Sequence, residues 1–257
     1  MSILLPASPA AAPPEGVEEK LKNQEAPSHY EKGNGYIKDG RFEQAIAEYN
    51  KAVELSPGYY EAYAKLGNTY YCLGMFNEAL ACFRKSLNLN REDAETIRGL
   101  GNVYMALKQE NEASLYFEKA IKMEPDNPAP YMPLALIYSR KKRFDESIDL
   151  LKKVLDNYPH HDAAYFALAQ NYEFLNRTDL ALENYQKVIE LAPRHARAYL
   201  GLARCCITGA RYNMAYNYAK LAHKLRSDIN EAEEIIRFLK GKFRDDKSAR
   251  EEKKRVR

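Results

Sequence analysis

Residues 61–90 read EAYAKLGNTYYCLGMFNEALACFRKSLNLN, and much of the chain repeats this pattern. The pattern returns 34 residues earlier and 34 residues later, and no insertion or deletion interrupts it. Small residues recur at one slot and tyrosines at another: Ala45, Ala79, Ala113, Ser147, Ala181 and Ala215 at the first, and Tyr36, Tyr70, Tyr104, Tyr138 and Tyr172 at the second. A period of about 20 to 50 residues indicates an array built from one repeated supersecondary unit.

A second slot for small residues explains how such a unit packs. It holds Gly33, Gly67, Gly101, Ala135, Ala169 and Ala203, in the first of the two short apolar-periodic runs of each unit. Two helices approach closely where small side chains face each other, so each unit is predicted to be a helical hairpin. Helices this short are marginal alone, and the hairpins must stack to bury their apolar faces. The tyrosines are therefore predicted to lie in the core.

The order of residues within the unit resembles the signature of the tetratricopeptide-repeat (TPR) family. In residues 61–90 that order is Tyr63, Leu66-Gly67, Tyr70, Ala79 and Phe83. The resemblance covers roughly four-fifths of the chain. It implies an all-α fold, a right-handed α-solenoid of six tandem helix-turn-helix units with a C-terminal capping helix. The units are predicted at 26–59, 60–93, 94–127, 128–161, 162–195 and 196–229.

The segments outside the repeats have their own character. Residues 1–25 are rich in Ala and Pro and lack repeat character, so they are predicted to be disordered. They also lack the basic start and long apolar run of a secretory signal. Ser28 and Glu31 form a capping box that is predicted to start the first helix. Residues 230–257 are predicted to be a capping helix and a charged basic tail, since Ala232, Leu239 and other apolar residues share one helical face.

Composition limits the classes of function. The formal net charge of +3 is too small to argue for nucleic-acid binding. No run reaches the roughly 18 apolar residues of a transmembrane segment. The four cysteines lack metal-ligand spacing and are predicted to be free, mostly buried thiols. Free thiols favour a reducing, cytoplasmic location, although so few cysteines also suit a bacterial periplasm.

The sequence offers no catalytic motif. It contains neither a phosphate-binding GxxxxGK[ST] loop nor a GxSxG nucleophile elbow. The pair His160-His161 has no second ligand group at a helical i, i+4 offset. We therefore expect no enzymatic activity, no metal and no cofactor.

The TPR resemblance implies a protein-interaction module or scaffold that holds a peptide or protein segment in its concave groove, which the first helix of each unit lines. Asn34, Asn68 and Asn102 recur at one groove-lining slot. An Asn there suits a bound peptide backbone, because it both donates and accepts, and it equally suits local bonding between neighbouring repeats. The other groove-lining positions are Tyr71, Arg98, Met105, Met132, Leu136, Arg140, Phe166, Gln170, Phe174, Arg197, Leu200 and Arg204.

The apolar and basic character of these positions predicts a partner segment with apolar anchors and some acidic residues. Two alternatives stay open. The chain could be a self-associating structural protein, or an accessory subunit of a larger enzyme or secretion complex.

One familiar TPR ligand is predicted not to bind. TPR co-chaperones hold the C-terminal carboxylate of a heat-shock chaperone with Lys and Asn, then Asn, then Lys and Arg across three units. The corresponding positions here are Tyr30 and Asn34, then Lys65, then Glu95 and Gly99, so one of the five matches. We expect fluorescence anisotropy to detect no binding of an acidic chaperone-tail peptide in the micromolar range, and a micromolar Kd would contradict this.

Overall fold

The computed structural model describes the backbone of residues 15–255 and the side chains of residues 25–245. Within this range the chain forms thirteen α-helices and no strand, so the predicted all-α fold is confirmed. The helices are α1 (Glu15–Lys38), α2 (Phe42–Leu55), α3 (Tyr60–Cys72), α4 (Phe76–Leu89), α5 (Ala94–Ala106), α6 (Glu110–Met123), α7 (Tyr131–Arg140), α8 (Phe144–Asn157), α9 (Asp162–Phe174), α10 (Thr178–Leu191), α11 (Ala196–Thr208), α12 (Tyr212–Leu225) and α13 (Asn230–Arg255).

The helices pair in chain order as hairpins, within two compact units of residues 1–124 and 125–257. In the first unit α1 pairs with α2, α3 with α4 and α5 with α6, and each hairpin packs on the next through α2·α3 and α4·α5. In the second unit the pairs are α7·α8, α9·α10 and α11·α12, joined through α8·α9 and α10·α11, and α13 packs on α12. This is the stacking of tandem hairpins that the 34-residue period predicts.

The turn inside each hairpin contains one residue in the left-handed backbone region. These residues follow the period of the sequence: Gly40, Gly74, Lys108, Lys142, Asn176 and Ala210, with φ between 54° and 74°. In the second hairpin the N–H of Gly74 donates to the carbonyl of Tyr71 at 3.0 Å, and the N–H of Met75 donates to that of Tyr70 at 2.9 Å. Such bonds satisfy the last carbonyls of the first helix and reverse the chain.

The small residues predicted to bring the helices together do so. Ala45, Ala79, Ala113, Ser147, Ala181 and Ala215 are all 0% exposed. In the first helix, a Cβ built on Gly67 would lie 2.7 Å from Cδ1 of Phe83, whose ring rests on the bare backbone. The same ring also touches the following hairpin, since a Cβ on Gly99 would lie 2.5 Å from its Cζ. One aromatic side chain therefore sets the spacing both within a hairpin and between hairpins.

The predicted beginning of the first helix is wrong. Helix α1 begins at Glu15, so residues 15–25 are helical rather than disordered, and the capping box at Ser28 and Glu31 lies inside the helix. The run VEEKLKNQ consists largely of strong helix formers, and the helix continues through Pro27 although that residue has no N–H to donate. Residues 1–14, also predicted to be disordered, lie outside the described range.

A second proline also lies within a helix. Pro133 lies in the first turn of α7, where a missing N–H breaks no helical hydrogen bond.

At the C-terminus, Ala232 and Leu239 of α13 are 0% exposed, and Ala232 packs with Leu200 and Ala222. Helix α13 thus covers the apolar face of the last hairpin, as a capping helix does.

Two glycines on one helix give a matched test of the close helix approach. Gly33 faces Tyr49, and a Cβ there would lie 2.5 Å from Cε1 of the ring, whereas a Cβ on Gly35 would meet nothing within 4 Å. We expect Gly33→Ala to destabilise the protein by about 1–3 kcal/mol through overpacking. Gly35→Ala is expected to stabilise it by about 0.5–1 kcal/mol, because Ala is the better helix former. Thermal unfolding followed by circular dichroism measures both, and equal melting temperatures for the two variants would contradict this account.

Candidate functional site

Two of the predicted asparagines line a cleft of about 540 Å³ that α1, α2 and α3 form in the first unit. Asn34 accepts a hydrogen bond from the hydroxyl of Tyr49 at 2.8 Å and donates to Glu31 at 3.4 Å. Asn68 donates to Oε1 of Glu95 at 2.8 Å, on the first helix of the next hairpin. The structure therefore favours the second of the two interpretations of these residues, local bonding within and between repeats.

The same carboxylate accepts a second bond, from Nζ of Lys65 at 2.7 Å. Glu95 thus ties α3 to α5 through two bonds to one oxygen atom. The ion pair of Lys65 and Glu95 also orients the amide of Asn68. Burial raises the pKa of Tyr49 well above its usual range, so its hydroxyl stays protonated and keeps donating to Asn34. The two asparagines of this cleft are therefore engaged in hydrogen bonds within and between hairpins.

The remaining predicted positions of the first unit lie apart from that cleft lining. The ring of Tyr71 lies 6.0 Å from that of Phe76, centroid to centroid, and is partly buried. Arg98, Asn102 and Met105 are partly buried on α5. The structure therefore does not bring these four together with Asn34 and Asn68 in one cleft.

A second cleft, of about 520 Å³, lies among α7, α8 and α9 in the second unit. It brings together four predicted site residues, Leu136 and Arg140 from α7 and Gln170 and Phe174 from α9. Leu136 and Gln170 occupy the slot that holds Asn34, Asn68 and Asn102 in the earlier repeats. Where Asn is replaced by Leu, the slot becomes an apolar floor. We refer to these residues together with Phe144 as the α7–α9 cleft.

An aromatic pair forms one wall of the α7–α9 cleft. The rings of Phe144 and Phe174 are 5.2 Å apart, centroid to centroid, and nearly parallel at 8°. Although its ring stacks on that of Phe144, Phe174 is 69% exposed, more than any other large apolar side chain in the described range. Phe144 was missed by the sequence analysis because it begins the second helix of its hairpin. Phe42, Phe76 and Phe144 share one slot of the 34-residue period, with Glu110 between them, and this was a signal that could have found it.

A buried polar network fixes the three helices beneath the cleft. Asn171, 1% exposed, donates to Oγ of Ser147 at 2.8 Å, and its Oδ1 accepts from Ser139 at 2.8 Å. Ser147 donates in turn to the carbonyl of Ala135 at 2.8 Å. The network links α7, α8 and α9 through satisfied buried groups, which rigidifies the site. Ser147 interrupts the alanine series of the sequence, and that break was the one sign of the network.

The other predicted residues of the second unit are dispersed. Met132 and Phe166 are partly buried, and the ring of Phe166 packs 4.7 Å from that of His195 and 5.8 Å from that of Tyr185. Arg197 is exposed. Leu200 is 3% exposed, so the prediction that it lines a groove is wrong, because Ala222 and Ala232 cover it.

Arg204, another predicted groove residue, is held by two carboxylates. Its Nη2 lies 2.8 Å from Oε2 of Glu173 and its Nη1 lies 3.0 Å from Oε1 of Glu231 on α13. The hydrogen bond to Glu173 is the main cause of the raised pKa of Arg204. Tyr185 also donates to Glu173, at 2.7 Å. The guanidinium therefore joins α11 to α9 and to the capping helix, and its charge is locally compensated.

One histidine of the pair His160-His161 has a structural role. His161 accepts the N–H of Ala164 at 3.2 Å and so caps α9. Among the side chains from 25 to 245, no three His, Cys, Asp or Glu residues gather as a metal site would require. Likewise, none of the helices in the described range has the length and apolarity needed to span a bilayer.

Comparison with known proteins places the chain among TPR proteins. Residues 10–234 match the family described as the C-terminal domain of cilia and flagella-associated protein 70, a TPR domain. None of the curated proteins matches the chain significantly.

Solved structures agree with this. PilF of Pseudomonas aeruginosa is similar with a TM-score of 0.69 at 19% identity, over 83% of this chain and 97% of PilF, which shows the fold alone. YrrB, described as a TPR protein with an unusual peptide-binding site, has a TM-score of 0.61 at 26% identity, over 72% of this chain and 94% of YrrB. MamA has a TM-score of 0.58 at 26% identity, over 64% of this chain and 96% of MamA.

The four cysteines give a testable consequence of their burial. Cys72 is exposed, whereas Cys205 and Cys206 are buried and Cys82 is partly buried. Burial raises the pKa of Cys82 to about 11 and that of Cys205 to about 12. Because a raised pKa leaves less reactive thiolate at pH 8, we expect Ellman's reagent to modify one thiol rapidly and the others slowly. Cys72→Ser should remove the fast phase, and a fast phase of unchanged amplitude would contradict the assignment.

Proposed function

This chain belongs to the family of the cilia and flagella-associated protein 70 C-terminal domain, and on that premise we propose that it is a non-enzymatic scaffold that binds a segment of another protein. The segment would lie in the α7–α9 cleft. The observation that carries the proposal is the aromatic pair, because Phe174 remains 69% exposed while it stacks on Phe144.

Exposed aromatic surface of this kind is typical of a protein-binding site. Aromatic side chains present a large apolar area and are enriched among the residues that dominate protein interfaces. Leu136 lies partly buried in the same lining and completes an apolar floor. The buried bonds of Asn171 hold the helices that carry these residues, so the cleft is preformed. Preorganisation lowers the entropy lost on binding.

The charge around the cleft indicates the chemistry of the segment. Arg140 and Lys142 belong to its lining, which contains no acidic residue. An apolar or aromatic anchor flanked by acidic residues would therefore match the cleft in both polarity and charge. The description of YrrB as a TPR protein with a peptide-binding site, at 26% identity, supports a peptide-like ligand.

A random peptide library displayed on phage tests the proposal, since it samples many candidate segments at once. Peptides selected on the wild-type protein are expected to carry an aromatic or aliphatic anchor near acidic residues. Phe174→Ser should weaken their binding at least about tenfold, because it removes a central anchor. Fluorescence anisotropy with the selected, labelled peptides gives the Kd.

The matched control is Leu115→Ser. Leu115 is 64% exposed on α6, so the substitution removes a similar exposed apolar side chain outside the cleft. Its Kd values should equal those of the wild type. Selected peptides that bind Phe174→Ser as tightly as the wild type would overturn the assignment of the α7–α9 cleft as the binding site.

A further inference from the structure

The last helix of the chain stands where the first helix of another hairpin would stand. Helix α13 packs on α12 as α3 packs on α2 and α11 on α10. Ile236 continues the leucine series Leu66, Leu100, Leu134, Leu168 and Leu202 at the same 34-residue step. Arg244, at the step of the left-handed turn residues, lies inside α13 instead of in a turn. In the described residues, α13 thus has no second helix of its own to cover it.

The face that lacks this cover forms a cleft of about 970 Å³ between α12 and α13. The five leucines of the series are at most 4% exposed, whereas Ile236 is partly exposed and lines the cleft. Tyr216 and Leu221 of α12 add to the apolar lining, and Leu221 is 43% exposed. We call this surface the α12–α13 cleft. Two adjacent helices with apolar side chains between them offer the groove into which an amphipathic helix packs.

Most of the charged residues that border the apolar floor are basic. Arg237 occupies the slot that holds Gly67 and Gly101 in the hairpins, where the second helix rests on the bare backbone. Lys240 occupies the slot of Tyr70 and Tyr104. A second helix of the kind found in the repeats would meet two long cations here, so the face is not built for the packing used elsewhere in the chain.

The charge of the cleft is strongly one-sided. Lys220, Lys224, Arg237 and Lys240 line it, and within the described side chains none of the four forms an ion pair. Glu233 is the single carboxylate of the lining and lies 3.8 Å from Nε2 of His223. If the charged residues only kept this face of the protein hydrated, residues of both signs would do so equally well. The excess of cations around an apolar floor is complementary to an acidic amphipathic surface.

We propose that the α12–α13 cleft docks an acidic amphipathic helix of a partner protein, which takes the position that the second helix has in the repeats. Its apolar stripe would cover Ile236, Tyr216 and Leu221, and its carboxylates would face the four cations. This surface shares no lining residue with the α7–α9 cleft, so the inference does not depend on the function proposed above.

A displayed library of helices tests this directly. Each member would be about 16 residues long, roughly 24 Å of helix, with a fixed leucine stripe and Glu, Lys, Gln or Ala at the other positions. Selection on the wild-type protein is expected to enrich Glu over Lys at the positions beside the stripe. Absence of such enrichment would overturn the proposal.

Charge reversal in the cleft supplies the second readout. The double variant Lys224→Glu with Arg237→Glu should bind the selected acidic helix at least about tenfold more weakly and should prefer its Lys-for-Glu counterpart. Both residues are exposed, and circular dichroism checks that the fold is retained. Rising salt should weaken the wild-type complex, since screening acts on exposed charges.

The matched control is Lys85→Glu with Lys119→Glu, which changes the net charge equally at exposed positions outside the cleft. Its Kd should stay within about twofold of that of the wild type, and so should that of Phe174→Ser. Equal affinities for the cleft variant and the control would overturn the proposal. Loss of binding in Phe174→Ser would do so as well, because it would assign the acidic helix to the α7–α9 cleft.

Discussion

An aromatic ring resting on backbone that carries no Cβ is the contact on which the rest of this structure depends. Phe83 makes it twice, against Gly67 of its own hairpin and against Gly99 of the next. Tyr185 makes the corresponding contact with Gly201 in the second unit. Because one side chain fixes both the width of a hairpin and the distance to its neighbour, the two kinds of packing cannot vary independently. The 34-residue period of the sequence reflects this constraint.

Features that recur in every hairpin could be predicted from the sequence, because the same local packing produces them each time. The two slots for small residues follow from this periodicity, and the capping face of α13 follows from the helical spacing of its apolar residues. Features that depend on one particular neighbour could not. Leu200 has a groove-lining slot, yet α13 covers it with Ala232. Four predicted site residues meet in the α7–α9 cleft, whereas Phe144 was overlooked because it lies on a second helix, where no groove position was sought.

A single slot of the repeat serves three purposes along this chain. As Asn68 it bonds to Glu95 and ties two hairpins together. As Leu136 it becomes the apolar floor of a cleft, and as Arg204 it bridges Glu173 and the capping helix through Glu231. The scaffold therefore tolerates exchange at this position without a change in helix packing. At Leu136 this slot can make no side-chain hydrogen bond between hairpins, and the buried network of Asn171 holds the helices there instead.

The pairing of each helix mainly with its neighbours in the chain has a consequence for dynamics. Since contacts join elements close in sequence, ordering one hairpin requires little loop closure, and folding can begin at several places and spread. Opening is local for the same reason, with a free energy set by the adjoining interfaces. A segment seated across α7, α8 and α9 would bridge two hairpins and slow the amide exchange of both. Such protection would fade within a few helices of the cleft. A bound segment would therefore stabilise the neighbouring hairpins and not distant ones.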